Sequence, residues 1–399
     1  MTKSVSTIIL LLWMSDTPIG GGSSTDTDKH TGKMKIKHIT VDAGYRQTKL
    51  VVGMDASAVN QHPSLMSVEP GEYTPFGLSL SGRKTNGVVV SYLSGQSPWH
   101  QGKFFTVGEA ARNHRSRQDA FKLEKENWGL LNTLAAVNPE VDGVDVHLSV
   151  DILHQSPSPA VVSRYEKVFL GEHNIKIGKT PMTVTIDEIN VFLEPLGSYY
   201  WALANGALED TEGKVNYVID VGGSTMTALA VEYGEPIPNS QHTLTQGGTI
   251  RLAELIASHP TFKRKFDETR GQHGHSTPDI SYIMDGLAAS GNAQYRYGNA
   301  FSFFGDNGDN IAYAQEQWRA GIMAEIKDRL KPWLPSFNQT LITGGSAQFL
   351  YHAMKGNERN AKLNPTLCPD FGTSNVRGFA HQVALIKGQN SVTPIRKAS

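Results

Sequence analysis

The sequence predicts an α/β fold with mixed sheets in two halves, and three observations carry that prediction. Segments whose apolar residues alternate, as in a half-buried strand, are interleaved with segments whose apolar residues recur every three to four positions, as in an amphipathic helix. A strand that ends in aspartate and turns through glycine occurs twice, at Asp42 and at Asp220, once in each half. The chain has 399 residues. At roughly 100–200 residues per domain, that is room for two domains or three.

The first 33 residues read differently from the rest. Lys3 precedes an apolar run from Ile8 to Met14, then come Gly20-Gly21-Gly22-Ser23-Ser24 and polar residues to Lys33. The run is too short to span a bilayer, which takes about 20 apolar residues. Three readings stand: a flexible extension ahead of a functional start at Met34, an anchoring or docking segment, and a secretory signal without a clean cleavage site.

From Met34 the pattern turns regular. Ile36 to Val41 reads as a strand, and Thr48 to Gly53 returns from it after a turn at Gly44. Residues 55–103 are rich in Gly, Ser and Pro and form a variable lobe with no assigned order. Val144, Val146, Leu148 and Val150 alternate as a strand, as do Met182, Val184 and Ile186; Val191-Phe192-Leu193 is a short apolar run. Leu196 to Asn205 reads as a helix. Val215 to Val221 and Met226 to Glu232 form a strand pair around a glycine turn, and Thr249 to Ser258 reads as a helix. Ile311 to Trp333 is an amphipathic helix with Trp318, Ile322, Ile326 and Leu330 on one face. Thr340 to Thr343 is a short buried strand running into glycines, and 376–387 reads as a terminal helix.

Composition narrows the function classes. Lys plus Arg number 37 and Asp plus Glu 38, a formal net charge of -1. That balance argues against a nucleic-acid coat or a polybasic membrane binder, since both rely on a strong positive field. Hydrophobic residues make up 39%, enough for a core and too many for a disordered chain. The single cysteine, Cys368, rules out an internal disulfide framework and predicts a cytoplasmic protein. Glycine, at 39 residues, exceeds its usual share of about 7%.

Where those glycines sit suggests chemistry. In Asp42-Ala43-Gly44-Tyr45-Arg46-Gln47-Thr48-Lys49 a strand ends in a carboxylate, turns through glycine, and a second strand opens with a lysine. A nucleotide phosphate needs backbone N–H groups, a cation, and a carboxylate for Mg²⁺ or its waters. Standing alone, the segment is also an ordinary hairpin turn. Tyr217 to Thr227 repeats the theme with Asp220, Gly222, Gly223, Ser224 and Thr225, and a bulged hairpin is its plainer reading. In Leu341-Ile342-Thr343-Gly344-Gly345-Ser346-Ala347 a buried strand feeds paired glycines ahead of a helix, which suits close packing of a flat base or ribose. A flexible helix entry explains it equally. Glu194 lies at a strand-to-helix junction, where a carboxylate can orient or deprotonate water or simply suit the helix dipole.

Taken together and in this order, these segments resemble the actin superfamily of nucleotide-binding proteins. Asp42 to Lys49 resembles its first phosphate motif and Asp220 to Thr225 its second. Gly344-Gly345 resembles its adenosine motif, and Glu194 falls in its first connecting segment. The similarity covers most of residues 35–388. Within the superfamily the chain looks most like actin-like proteins of the ParM/StbA plasmid-segregation type. Phe105 to Ala111 resembles their VGE-A segment, and Asp370 to Phe379 their carboxyl-terminal Asn-x-x-Gly segment. No segment reads as a chaperone-like substrate domain or a sugar-site loop.

The resemblance implies a two-lobed actin-like ATPase fold, each lobe a mixed sheet flanked by helices, with ATP (or GTP) and Mg²⁺ in the cleft between lobes. It implies an extension at 1–33, one domain at 34–210 with 373–390 packing back on it, a second at 211–372, and a tail at 391–399. Asp42 and Asp220 would organise Mg²⁺, mostly through water, and Lys49 would contact the β and γ phosphates. Gly44, Thr48, Gly222, Gly223, Ser224 and Thr225 would line the phosphates, with Gly247 and Gly248 nearby. Gly344 and Gly345 would lie beneath the adenosine, and Glu194, with Asp220, would serve hydrolysis. The implied activity is ATP hydrolysis coupled to filament dynamics, for plasmid or other DNA segregation through a DNA-binding adaptor. Direct nucleic-acid binding and membrane association are not expected. A small-molecule kinase of the same superfamily is the alternative, and a nucleotide-binding scaffold is a third reading. Residues 55–103 and the extension depart from the family pattern.

Other motifs carry less. His273-Gly274-His275 lacks further ligands at metal spacing, since a metal takes three or four. Asp306 to Asn310 lacks the glutamate and glycine placement of a calcium loop. Phe262-Lys263-Arg264-Lys265-Phe266 reads as a basic helix surface, and Asn338-Gln339-Thr340 as an unused sequon. No Gly-x-x-x-x-Gly-Lys-[Ser/Thr] loop is present.

Overall fold

The computed structural model describes residues 36–69, 87–114, 116–119, 123–288, 295–303, 309–355 and 358–387. The expected extension at 1–33, the tail at 391–399, the start at Met34 and Asp306-Asn307-Gly308 lie outside the described residues.

The first half builds a ten-stranded sheet. Its strands are β1 (Ile36–Ala43), β2 (Gln47–Val52), β3 (Val59–Pro63), β4 (Leu65–Glu69), β5 (Gly87–Ser94), β6 (Lys103–Gly108), β7 (Arg117–Asp119), β8 (Asp145–His154), β9 (Gly171–Ile177) and β10 (Thr180–Leu193). Their spatial order is β3-β2-β1-β8-β10-β9-β5-β6-β4-β7. The centre, β1-β8-β10, is parallel, and α1 (Lys125–Ala135) and α2 (Pro159–Phe169) provide its crossovers. Alternation decides which face is apolar. Ile39 and Val41 of β1 and Leu148, Val150 and Ile152 of β8 pack with Trp128, Leu131 and Leu134 of α1. Ser158 caps α2, accepting from Val161 N at 3.3 Å, with Pro159 in the first turn.

Two expectations are refined here. The unassigned 55–103 stretch contains β3, β4, β5 and the start of β6. β5 carries the continuous run Val88-Val89-Val90, so period-2 alternation had no purchase on it. The apolar run 191–193 is the end of β10. A register shift between Ile186 and Glu188 breaks the alternation, as one extra residue in a strand must.

After α3 (Glu194–Ala204) the second half builds a six-stranded sheet. Its strands are β11 (Val215–Val221), β12 (Met226–Glu232), β13 (Glu235–Pro236), β14 (His242–Leu244), β17 (Phe337–Thr343) and β18 (Pro365–Leu367); β15 (Arg296–Tyr297) and β16 (Phe301–Ser302) pair separately. β11, β17 and β18 are parallel. Around them lie α4 (Thr249–Ser258), α5 (Pro260–Glu268), α6 (Ile280–Ala288), α7 (Asp309–Leu330) and α8 (Ala347–Lys355). α7 buries Trp318, Ile322, Ile326 and Leu330, then gives way to a 3₁₀ turn over Lys331–Ser336 that holds Pro332 and Pro335.

The last helix, α9 (Ser374–Ile386), returns to the first sheet. Phe379 stacks on Phe192 of β10 with ring centroids 4.7 Å apart, and Val376 and Ala380 pack with Val51 and Leu153. α9 crosses α3 backbone to backbone. A Cβ on Gly378 would lie 1.7 Å from the Gly197 carbonyl oxygen. Only glycine at that point lets the helices approach this closely.

Candidate functional site

The carboxylates singled out in the sequence all stand at carboxyl ends of parallel strands. Asp42 is near the end of β1, Glu194 follows β10, and Asp220 is near the end of β11, beside Thr343 of β17. In open α/β sheets that is where ligands bind. The strand ends converge on a cavity of about 480 Å³ lined from both halves of the chain.

The β1–β2 turn delivers the first group. The register sets Asp42 opposite Lys49, and Lys49 Nζ donates to Asp42 Oδ2 at 2.9 Å. Burial alone would lower the Lys49 ammonium's pKa, but Asp42, Asp220 and Glu194 outweigh it and hold it above its ordinary value. Asp42, Gly44 and Lys49 line the cavity. Thr48 does not: its hydroxyl is buried beneath the turn, 3.1 Å from Ser64 Oγ and 3.1 Å from the donating Trp128 Nε1. Thr48 braces the turn.

The β11–β12 hairpin delivers the second group. Gly222 N donates to Thr225 O at 2.9 Å, closing the turn. Gly222, Gly223 and Thr225 line the cavity. Thr225 Oγ1 reaches across to Gln155 Oε1, at the end of β8, at 3.1 Å. Ser224, Gly247 and Gly248 are not among the lining residues. Gly248 packs on the backbone of Gly223 and Ser224, and the amide of Ile250 in α4 donates to Gly223 O at 2.8 Å. The 247–248 pair supports the turn from behind.

At the end of β17, Gly344 has φ +94°, and a Cβ there would stand 2.3 Å from Asp220 Oδ1. Conformation and space both require glycine at this position. Gly345 faces open space and lines the cavity.

Sequence reasoning missed two residues. Lys125, the first residue of α1, pairs its ammonium with Glu194 Oε1 inside the cavity. Burial opposes the Lys125 charge, but Glu194 leads the groups that raise its pKa above the ordinary lysine value. The signal available was a lysine opening a helix, where the macrodipole disfavours a cation. Asn375, in the first turn of α9, donates from Nδ2 to Asp220 Oδ2 and accepts at Oδ1 from Ser198 N at 3.1 Å. The Asn-x-x-Gly resemblance marked the segment without giving Asn375 a partner. Asp220 is pushed up to about 7, first by burial and then by Glu194, with Asn375 and Lys49 opposing. At the cavity mouth Arg46 of the first turn pairs with Asp285 of α6.

The remaining motifs are structural in their surroundings. His273 Nε2 is 2.9 Å from Phe266 O and His275 Nδ1 is 2.7 Å from Tyr297 Oη, within an aromatic cluster. Phe262 and Phe266 are buried, Lys263 and Arg264 are exposed, and Lys265 is half-buried, its ammonium 3.5 Å from Ser302 O. Among the described residues no group of three His, Cys, Asp or Glu is placed to hold a metal ion directly. Among them, too, no helix is long and apolar enough to cross a membrane.

No protein-family profile and no curated protein matches the chain. Solved structures do. A pCBH ParM, a non-polymerisable quadruple mutant, shares 16% identity at a TM-score of 0.62, over 88% of this chain and 100% of its own. An archaeal actin homolog in complex with ADP shares 14% at 0.58, over 87% and 99%. Bacillus thuringiensis ParM with ATP shares 15% at 0.54, over 88% and 99%. At these identities the likeness establishes the fold. The chain has the two-lobed actin-like architecture of these ParM proteins and archaeal actin homologs.

Proposed function

We propose that this chain binds ATP or GTP with Mg²⁺ in the cleft, hydrolyses it, and couples the cycle to filament assembly and disassembly. The observation that carries this reading is the convergence of three glycine-bearing strand ends on one cavity with Asp42, Glu194 and Asp220. Neighbours by fold include an ATP complex, an ADP complex and a ParM described as non-polymerisable by mutation.

The residues present fit such a substrate. Lys49 offers a cation for phosphate oxygens, and Gly44, Gly222, Gly223 and Thr225 line the same space. Gly345, with open space where a Cβ would stand, leaves room for a nucleoside against backbone, and Gly344 lets the chain turn close beside Asp220. Asp42 and Asp220 share the cavity without a third carboxylate closing a direct cage, which suits Mg²⁺ because it keeps several waters. Held there, Mg²⁺ would supply neutralisation of phosphate charge. Glu194 accepts the proton of the attacking water, whose oxygen bonds to the terminal phosphorus as the bridging P–O bond breaks and the nucleoside diphosphate leaves. Asn375 holds the Asp220 carboxyl, and Thr48, Gly247 and Gly248 hold the turns.

The cargo reading follows from the ParM-like architecture and the charge. A net charge of -1 suits a cytoplasmic filament that handles DNA through a small DNA-binding adaptor, since bare DNA binding wants a basic face. The test is light scattering and electron microscopy with and without ATP, on chains starting at Met1 and at Met34. Filaments appearing only with nucleotide, above a threshold concentration, support the proposal. Phosphoryl transfer to a sugar or acid without filaments would support the kinase reading instead. Nucleotide binding with neither would support a scaffold.

A further inference from the structure

Three cations line the cavity, and each has a carboxylate partner. Arg46 faces Asp285 at the mouth, Lys49 faces Asp42, and Lys125 faces Glu194. The third pair is different in kind. Its carboxylate is the one that proposed hydrolysis needs free, because an oxygen held by an ammonium is not open to an attacking water. Both side chains are 17% exposed, so water screens the pair little. Lys125 also stands at the first position of α1, where the helix dipole opposes its charge. The helix gains nothing electrostatic from it. α1 is held by Trp128, Leu131 and Leu134 in the core.

We propose that Lys125 is a positioning residue that exchanges partners. It holds Glu194 while the cleft lacks a terminal phosphate, and turns to that phosphate when a triphosphate is bound, leaving Glu194 free to take the proton of water. The exchange makes and breaks no covalent bond. A diphosphate offers no terminal oxygens at that point and leaves the pair closed. The inference rests on the nucleotide-binding reading above.

Calorimetry with the non-hydrolysable triphosphate AMP-PNP and with ADP, each with Mg²⁺, tests it on the full chain. Lys125→Met should weaken AMP-PNP at least about tenfold, the scale of a charge-assisted hydrogen bond, and change ADP less than about twofold. Lys125→Arg should recover most of the selectivity. Glu194→Gln frees the lysine and should tighten AMP-PNP several-fold without tightening ADP, and the gain should vanish in Lys125→Met/Glu194→Gln. A gain that survives in the double variant is relief of charge repulsion alone and overturns the proposal. Equal effects on both nucleotides, or none, overturn it too. Should Lys125→Met fail to fold, Glu194→Gln with Lys125→Arg carries the test, since tighter binding is not a product of misfolding. If the wild-type chain binds neither nucleotide, the nucleotide reading itself fails. If it binds both without these selective effects, only the role of Lys125 fails.

Discussion

Asp220 is a carboxyl group whose surroundings keep its proton on to about 7. Folding raises its pKa, so the folded chain binds that proton more tightly than the unfolded chain does. Stability of the nucleotide-free protein from this group is full below about 4, falls as pH rises, and is gone above about 7. Asn is the neutral isostere of the protonated acid, so thermal midpoints of wild type and Asp220→Asn should lie close at pH 4.5 and separate towards pH 8, the wild type falling below the variant; parallel curves would contradict the burial argument. For hydrolysis, Glu194→Ala should cost at least about 10²-fold in turnover, the scale of a positioned base, while nucleotide still binds. Normal turnover in that variant would remove Glu194 from its role. Asp42, Glu194 and Asp220 were legible because a carboxylate at a strand end is a local signal. Lys125 and Asn375 were not, since their partners lie 69 and 155 positions away and only the fold brings them together.

Elements were legible where apolar residues run through them in a regular or nearly continuous pattern. α4 stands at the residues its apolar pattern marks, and β11 and β12 likewise. β3 has a single valine, three polar residues and a proline at its end, so no apolar alternation marks it. The α3–α9 crossing was also hidden, because a glycine in a helix gives no sign of what it faces. It yields a contrast that denaturant unfolding can check. Gly378→Ala pushes a methyl into the Gly197 carbonyl and should cost about 1–3 kcal/mol or more, as overpacking does. Gly321→Ala, inside α7 with open space at its Cβ, should stabilise by up to about 1 kcal/mol. Equal effects at the two positions would contradict the crossing.

On the scale of the whole molecule, the two halves meet across the cleft through polar contacts that differ in depth. Arg46–Asp285 is the outer one, with side chains 32% and 57% exposed. Exposed pairs contribute about 0–1 kcal/mol and fade with salt. Asp285→Ala should therefore speed nucleotide release by no more than about fivefold, and raising the salt should produce the same change in wild type. Stopped-flow release of a fluorescent nucleotide measures both. The deeper contact is the glycine crossing. Glu194 lies three residues before Gly197 and Asn375 three before Gly378, so both are about 4.5 Å from it along their helices. Ile386, at the far end of α9, is about 12 Å away. If the halves turn about that bare backbone contact as an axle, the groups nearest it travel least. A turn of 10° would carry the backbone at Glu194 and Asn375 by about 0.8 Å and the end of α9 by about 2 Å. Such a turn would gear a wider outer sweep to a smaller one at the centre, with Glu194 and Asn375 near the hub and the end of α9 towards the rim.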